Sequence, residues 1–219
     1  MFRRITRHSA LALGLALTVT ACENSAGPGG ETTILMSRSA STSLSSEALF
    51  SFTGDASLAS VPLSSVASIE VVISRVDALP ANLDENSEAA WVSLDVSGGG
   101  SLDLMKLSEA GVVLARGDLD AGDYRSVRLM VSSATITFNQ SVTVGGSPNA
   151  RTYAADVAHT LTIPSAAQTG IKVPTAGFSV SETTGDEVTV VFDASASVQS
   201  IQALPTGVQM SPVLTARSN

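Results

Sequence analysis

The chain has 219 residues, and its 20 Asp and Glu against 12 Lys and Arg give a formal net charge of −8 at pH 7. That acidic balance argues against nucleic acid as a partner and against adhesion to anionic lipid by charge. A single cysteine excludes a disulfide within the chain, so stability must come from a hydrophobic core, and a chain of this length can bury one.

Residues 1–21 begin with Arg3, Arg4 and Arg7, continue through an apolar run at 10–19 and end on the small residues Thr20 and Ala21. That order is the anatomy of a secretory signal peptide. The run is about half of the roughly 20 apolar residues needed to cross a bilayer, so cleavage is expected rather than a permanent span. Arg3-Arg4 also raises twin-arginine export, but Ile5-Thr6 stands where an apolar pair is usual. The junction Val19-Thr20-Ala21-Cys22 resembles the lipobox of bacterial lipoproteins, which implies a diacylglyceryl group on the Cys22 sulfur and acylation of its freed amine. The alternative is an ordinary signal peptide with a chance cysteine near the cut. Several acyl chains at ~0.8 kcal/mol per buried CH₂ would hold the protein on a membrane almost permanently. Loss of residues 1–21 removes three arginines and no acid, leaving nine basic against 20 acidic residues, a net −11.

The expected organisation is a signal peptide at 1–21, a lipidated cysteine and flexible tether at 22–31, a Ser-rich linker that can include a first strand at 32–65, and a β domain at 66–216. Within that domain, short runs alternate apolar and polar residues between Gly, Pro, Asn and Asp punctuation, the pattern of half-buried strands. In ASIEVVISRV, Ile69, Val71 and Ile73 share a face. In SLDLMKL, Leu102 and Leu104 are expected inward with Asp103 opposite, and SGGGSL just before it reads as a hairpin loop. VRLMVSSATITF aligns Met130, Ile136 and Phe138; TLTIP and VTVVFD place Leu161, Ile163, Val188, Val190 and Phe192 on buried faces. Roughly eight to ten strands and no sustained helical stripe point to an all-β, antiparallel Greek-key β-sandwich, immunoglobulin-like or prealbumin-like.

The segment DLDAGDYRSVRL has two readings. Gly122 and Tyr124 match a tyrosine corner, in which a Tyr at a strand start bonds upstream backbone through its hydroxyl; the other reading is a simple Asp-Gly hairpin turn.

Several motifs recur in order: Trp91, SLDLMKL (101–107), LDAGDYRSVRLMV (119–131), IPSAAQTGIKV (163–173), VVFDASASV (190–198) and MSPVL (210–214). As an ordered set over roughly 66–214 the chain resembles the bacterial and archaeal lipoprotein family called domain of unknown function 4382. The resemblance implies the envelope location and the β fold, and it carries no activity. Relatives flank the Phe of the fifth motif with two acids, whereas here Val191 replaces the first and only Asp193 remains; a paired-carboxylate cation site in relatives would be lost here.

Catalytic chemistry finds little footing. Beyond the signal segment there is one histidine, His159, no thiol but Cys22, no Gly-x-Ser-x-Gly and no phosphate-binding glycine loop. The chain therefore reads as a non-enzyme with no catalytic residue and no cofactor other than the lipid on Cys22. Asp118, Asp120 and Asp123 fall within six residues and are the candidates for a weak Ca²⁺ site, against the simpler reading of a solvated turn. The EF-hand order fails, because Leu129 stands where a bidentate Glu belongs. The expected function is a noncatalytic binding or adhesion module on a bacterial envelope, exported and held to the membrane, the outer one on its periplasmic or surface face, through lipid. The alternative is an accessory subunit of an envelope assembly; a Ca²⁺-binding module or an enzyme ranks below both. Its ligand or protein partner is not readable.

Overall fold

The computed structural model describes residues 29–39, 59–61, 63–145, 148, 150–182 and 186–218. The signal segment, Cys22 and most of the tether and Ser-rich stretch lie outside the described residues. The first strands are β1 (Gly30–Arg38), β2 (Ala59–Ser60), β3 (Val66–Pro80), β4 (Val92–Val96) and β5 (Ser101–Asp103). They are followed by β6 (Val112–Leu119), β7 (Gly122–Phe138), β8 (Val142–Val144), β9 (Arg151–Tyr153) and β10 (Ala158–Thr162). The last are β11 (Ile171–Val180), β12 (Glu187–Phe192), β13 (Gln202–Leu204), β14 (Gly207–Gln209) and β15 (Leu214–Ser218), with one short helix, α1 (Ala194–Gln199), after β12.

The all-β class holds, but the sandwich does not. Eight strands close into a barrel in the order β7-β11-β15-β12-β1-β6-β4-β3, and β3 returns to pair with β7. Closure follows from β3, which pairs with β7 along one edge and with β4 and β5 along the other, so no gap remains between two sheets. The ring is not purely antiparallel: β1 runs parallel to β12, and β11 meets β15 in parallel at Thr175 and Ala216. Alternation could not distinguish the two architectures, because a sandwich and a filled barrel each bury one face of every strand. The stave β1 lies in the stretch read as tether and linker, and it sits between β12 and β6.

The two longest strands also leave the barrel. One edge of β7 pairs with β11 over its first half and with β10 over its second, and β10 leads on to β14, β13 and β2. A hairpin of β8 and β9 packs beside this extension, where the Tyr153 hydroxyl donates to the Leu204 carbonyl. Barrel and extension share one core that includes Ile34, Ile69, Leu129, Ile136, Phe138 and Phe192, all almost fully buried. At one end an apolar crevice of about 20 Å³ beside Met36, Phe192 and Leu214 has room for little more than one water molecule.

Register shifts decide which side chains face in. On β3 the buried set is Ile69, Val71 and Ile73, then Val76 and Ala78; on β7 it is Val127, Leu129 and Val131, then Ala134, Ile136 and Phe138. The phase changes on either side of the Ile73–Val131 pair, where two successive bulges leave Ser132 of β7 and Ser74 of β3 as extra residues and step each strand by one. Met130, expected to align with Ile136, therefore lies on the opposite face from the core residues Leu129 and Val131, while Arg75, Asp77 and Arg128 turn outward.

Three local expectations change. SGGG is not a hairpin loop: β4 and β5 both run antiparallel to β3, so residues 97–100 loop out between two pieces of one interrupted strand. SLDLMKL begins as β5 and winds into a 3₁₀ turn at Leu104–Lys106, with the Asp103 carboxylate accepting from the Met105 N–H at 3.1 Å and from the Ile69 N–H at 3.3 Å. VVFDASASV ends β12 and starts α1; Asp193 is its N-cap, accepting from the Ala196 N–H at 2.9 Å.

Candidate functional site

The densest polar arrangement sits on the outer wall of the barrel beneath the connection at 81–91. Asp77 on β3 lies directly across from Arg128 on β7. The Asp77 side chain is fully buried and that of Arg128 is 4% exposed, and Arg128 Nη2 approaches Asp77 Oδ2 at 2.7 Å. Asp77 Oδ1 accepts from the Ser93 hydroxyl at 2.7 Å, and Oδ2 also accepts from Arg75 Nε at 3.1 Å. The Arg128 fork then reaches Glu88, with Nη1 to Oε2 at 2.7 Å and Nη2 to Oε1 at 2.9 Å, while Arg75 Nη2 donates to the same Oε1 at 2.7 Å.

Apolar surfaces confine the guanidinium. Trp91 stacks beneath it with Arg128 Cζ 4.4 Å from the ring centroid, and the indole N–H donates to the Glu85 carbonyl at 3.2 Å. On the other side Gly170 (φ 73°) leaves room for the Arg128 methylenes: a Cβ there would come within 2.6 Å of Arg128 Cγ. Lys172, across the strand pair from Arg128, reaches Glu85 at 3.7 Å.

The hydrogen bonds from Arg128 hold the Glu88 carboxyl below its ordinary 4.5. A carboxyl depressed in the folded state adds stability above its unfolded pKa and loses it as pH falls through the folded value. The Glu88 contribution should therefore be complete above pH 4.5 and fade below it, and Glu88→Gln should flatten that acid limb in urea titrations between pH 5 and about pH 2. Because Glu88 is 68% exposed, solvent screens the effect and it is read as a change of slope. Chemically the arrangement is a closed strut. Each carboxylate oxygen accepts from an arginine or a serine, and each guanidinium is paired, so the cluster ties the 81–91 connection to the barrel wall.

The structure does not bring Asp118, Asp120 and Asp123 into a shared cage. All three are exposed; the Asp123 carboxylate accepts from the Ser179 hydroxyl at 2.6 Å, and no group of three or more His, Cys, Asp or Glu side chains among the described residues could hold a metal ion. Gly122 (φ 154°) opens β7, and the Tyr124 hydroxyl donates to the Asp120 carbonyl at 3.0 Å while its ring stacks on Phe178 at 5.1 Å. Burial pushes the Tyr124 hydroxyl above its ordinary pKa of 10.0. The strands on either side of this turn, β6 and β7, do not pair, so it is not a hairpin. His159 packs against Phe138 and Tyr153, with Nε2 2.9 Å from the Ala154 carbonyl. Cys22 lies outside the described residues.

Over residues 55–209 the chain matches the family described as Domain of unknown function (DUF4382). The chain belongs to this family. No match was found among curated proteins or among solved structures. The DUF4382 span leaves out β1 and β15, although both are staves of the closed ring. Three of the motif segments that carry the family resemblance meet in the strut: Trp91, Arg128 from the segment 119–131, and Gly170 with Lys172 from 163–173. The motifs themselves give no role to Arg75, Asp77, Glu88 or Arg128. The available signal was SRVDAL, where Arg75 and Asp77 alternate with the core residues Val76 and Ala78 on one strand.

Proposed function

We infer that this DUF4382 chain is an exported, lipid-anchored envelope module whose barrel is a rigid scaffold for noncatalytic binding. The observation that carries the reading is Val19-Thr20-Ala21-Cys22 behind a short apolar run, with the chain's only thiol at the junction. Lipid at Cys22 holds the module to the membrane, and no helix among the described residues is long and apolar enough to cross one. A barrel interior packed with apolar side chains leaves the outer surface and the connecting turns to meet a ligand or protein. Cys22→Ser is the test. The parent protein should incorporate radiolabelled fatty acid and sediment with membranes, and the variant should do neither; a variant that stays membrane-bound with unchanged mass rules out the anchor. Crosslinking in intact envelopes that recovers neither protein nor glycan in stoichiometric amount would count against the binding role.

A further inference from the structure

The barrel has two chemically different ends, and the chain's path assigns them. Strand β1 starts at Gly30 beside Leu119 and finishes at Arg38 near Ser108, so its first residue marks one end and its last the other. The first end also holds the start of β12, the end of β6 and the turn into β7. It carries Glu31, Asp118, Asp120, Asp123 and Asp186, with Glu31 directly opposite Asp118 across the strand pair, against the cations Arg125 on β7 and Arg217 on β15. Like charges directly opposite one another are unfavourable. The second end holds the turns at 97–100, 108–111 and 164–170; both ends expose apolar side chains, Leu83 and Val92 at the first and Val112 and Val213 at the second, so the ends differ in charge.

Only seven residues lie between Cys22 and Gly30, and the eight steps from one to the other span at most about 29 Å at full extension. The nine residues of β1, tilted as barrel strands are, cover roughly 20 to 25 Å along the axis. A connection running back along the wall would be nearly used up before the second end could reach lipid. We propose that on a membrane the barrel stands with its Gly30 end toward the bilayer and its Arg38 end outward, the acidic near end being held off anionic headgroups. This rests on the lipid-anchor reading. It puts the turns at 97–100, 108–111 and 164–170 on the side away from lipid and keeps the Asp118–Asp123 turn near it.

The test uses the mature chain, residues 22–219, coupled through the Cys22 thiol to a maleimide lipid on vesicles that also hold a dansyl headgroup lipid. The Trp91 ring, on Arg128 and close to Gly170, reports neither end, so the donors are placed in a Trp91→Phe background: Ala121→Trp in the exposed turn between β6 and β7 marks the near end, and Val112→Trp or Val213→Trp the far end. On phosphatidylcholine, energy transfer from the Ala121→Trp donor should exceed that from either far-end donor severalfold. Phosphatidylglycerol should lower the near-end signal at low salt, and salt near 1 M, where the screening length is about 3 Å, should restore it. Glu31→Gln with Asp118→Asn and Asp120→Asn should abolish that lipid dependence while keeping the ranking of donors. Equal or reversed ranking overturns the orientation, and a near-end signal indifferent to lipid charge overturns the electrostatic part. Because coupling here is chemical, either failure leaves lipidation itself to the Cys22→Ser experiment.

Discussion

Asp77→Ala should cost about 3 kcal/mol of folding stability, because removing one partner of a buried ion pair strands the other charge. The lower end of the usual range applies, since Arg128 keeps two hydrogen bonds to Glu88. Urea unfolding measures the loss, and Trp91 fluorescence should change in the folded baseline because its ring stacks on Arg128. Asp77→Leu combined with Arg128→Met replaces the pair with apolar groups of similar volume and should recover most of the stability, since the desolvation of both charges disappears with them. If Asp77→Ala costs under about 1 kcal/mol, the pair behaves like a surface ion pair and the strut does not hold the 81–91 connection to the wall. If the double variant is as unstable as the sum of the two single ones, the charges contribute more than mutual neutralisation.

Gly100→Ala should cost at least about 2 kcal/mol, from two terms that can be separated. Gly100 sits at φ 71°, and an added Cβ would overlap the Ile73 carbonyl oxygen on β3. That oxygen cannot retreat freely, because the neighbouring Val72 is paired with Ser101 on one side and Ser133 on the other. Gly98 and Gly99 have similar positive φ values of 62° and 73° but nothing within 4 Å of a new Cβ. Alanine at either should cost only the conformational term, about 1 kcal/mol. Thermal or urea unfolding of the three single variants decides the matter: equal losses would mean that the close approach to β3 adds nothing, and that the turn alone requires glycine.

Much of the local structure was readable from residue type. Val and Ile at alternate positions marked β3, β7, β10 and β12 as strands and most of their buried faces, because a half-buried pleated surface needs that period. DAGDY carried the reach of Tyr124 back to Asp120, a contact between residues four apart. Asp193 was visible as an acid after a Phe, but its role as a helix cap was not, since it depends on the chain turning out of β12. Met130 was misplaced because a bulge reverses the alternation in mid-strand, and no single strand announces where its partner will slip.

The strut was less legible still. Asp77 and Arg128 are 51 residues apart, and only the pairing of β3 with β7 brings them opposite. Glu88 and Trp91 reach them because the 81–91 connection folds back over the outer wall. An ion pair of this kind has no sequence spacing of its own.

By itself, the sequence determined the acidic charge, the absence of internal disulfides, the lipobox-like junction at Cys22, the all-β class and the family motifs, because composition and short-range periodicity act along the chain. Tertiary structure alone decided that the sheet closes into a barrel, that β1 and β15 complete it and that Asp77 meets Arg128. Each of those depends on which strand edges find one another. Edge pairing is made by backbone groups that every residue except proline carries alike, so side-chain identity records it only weakly.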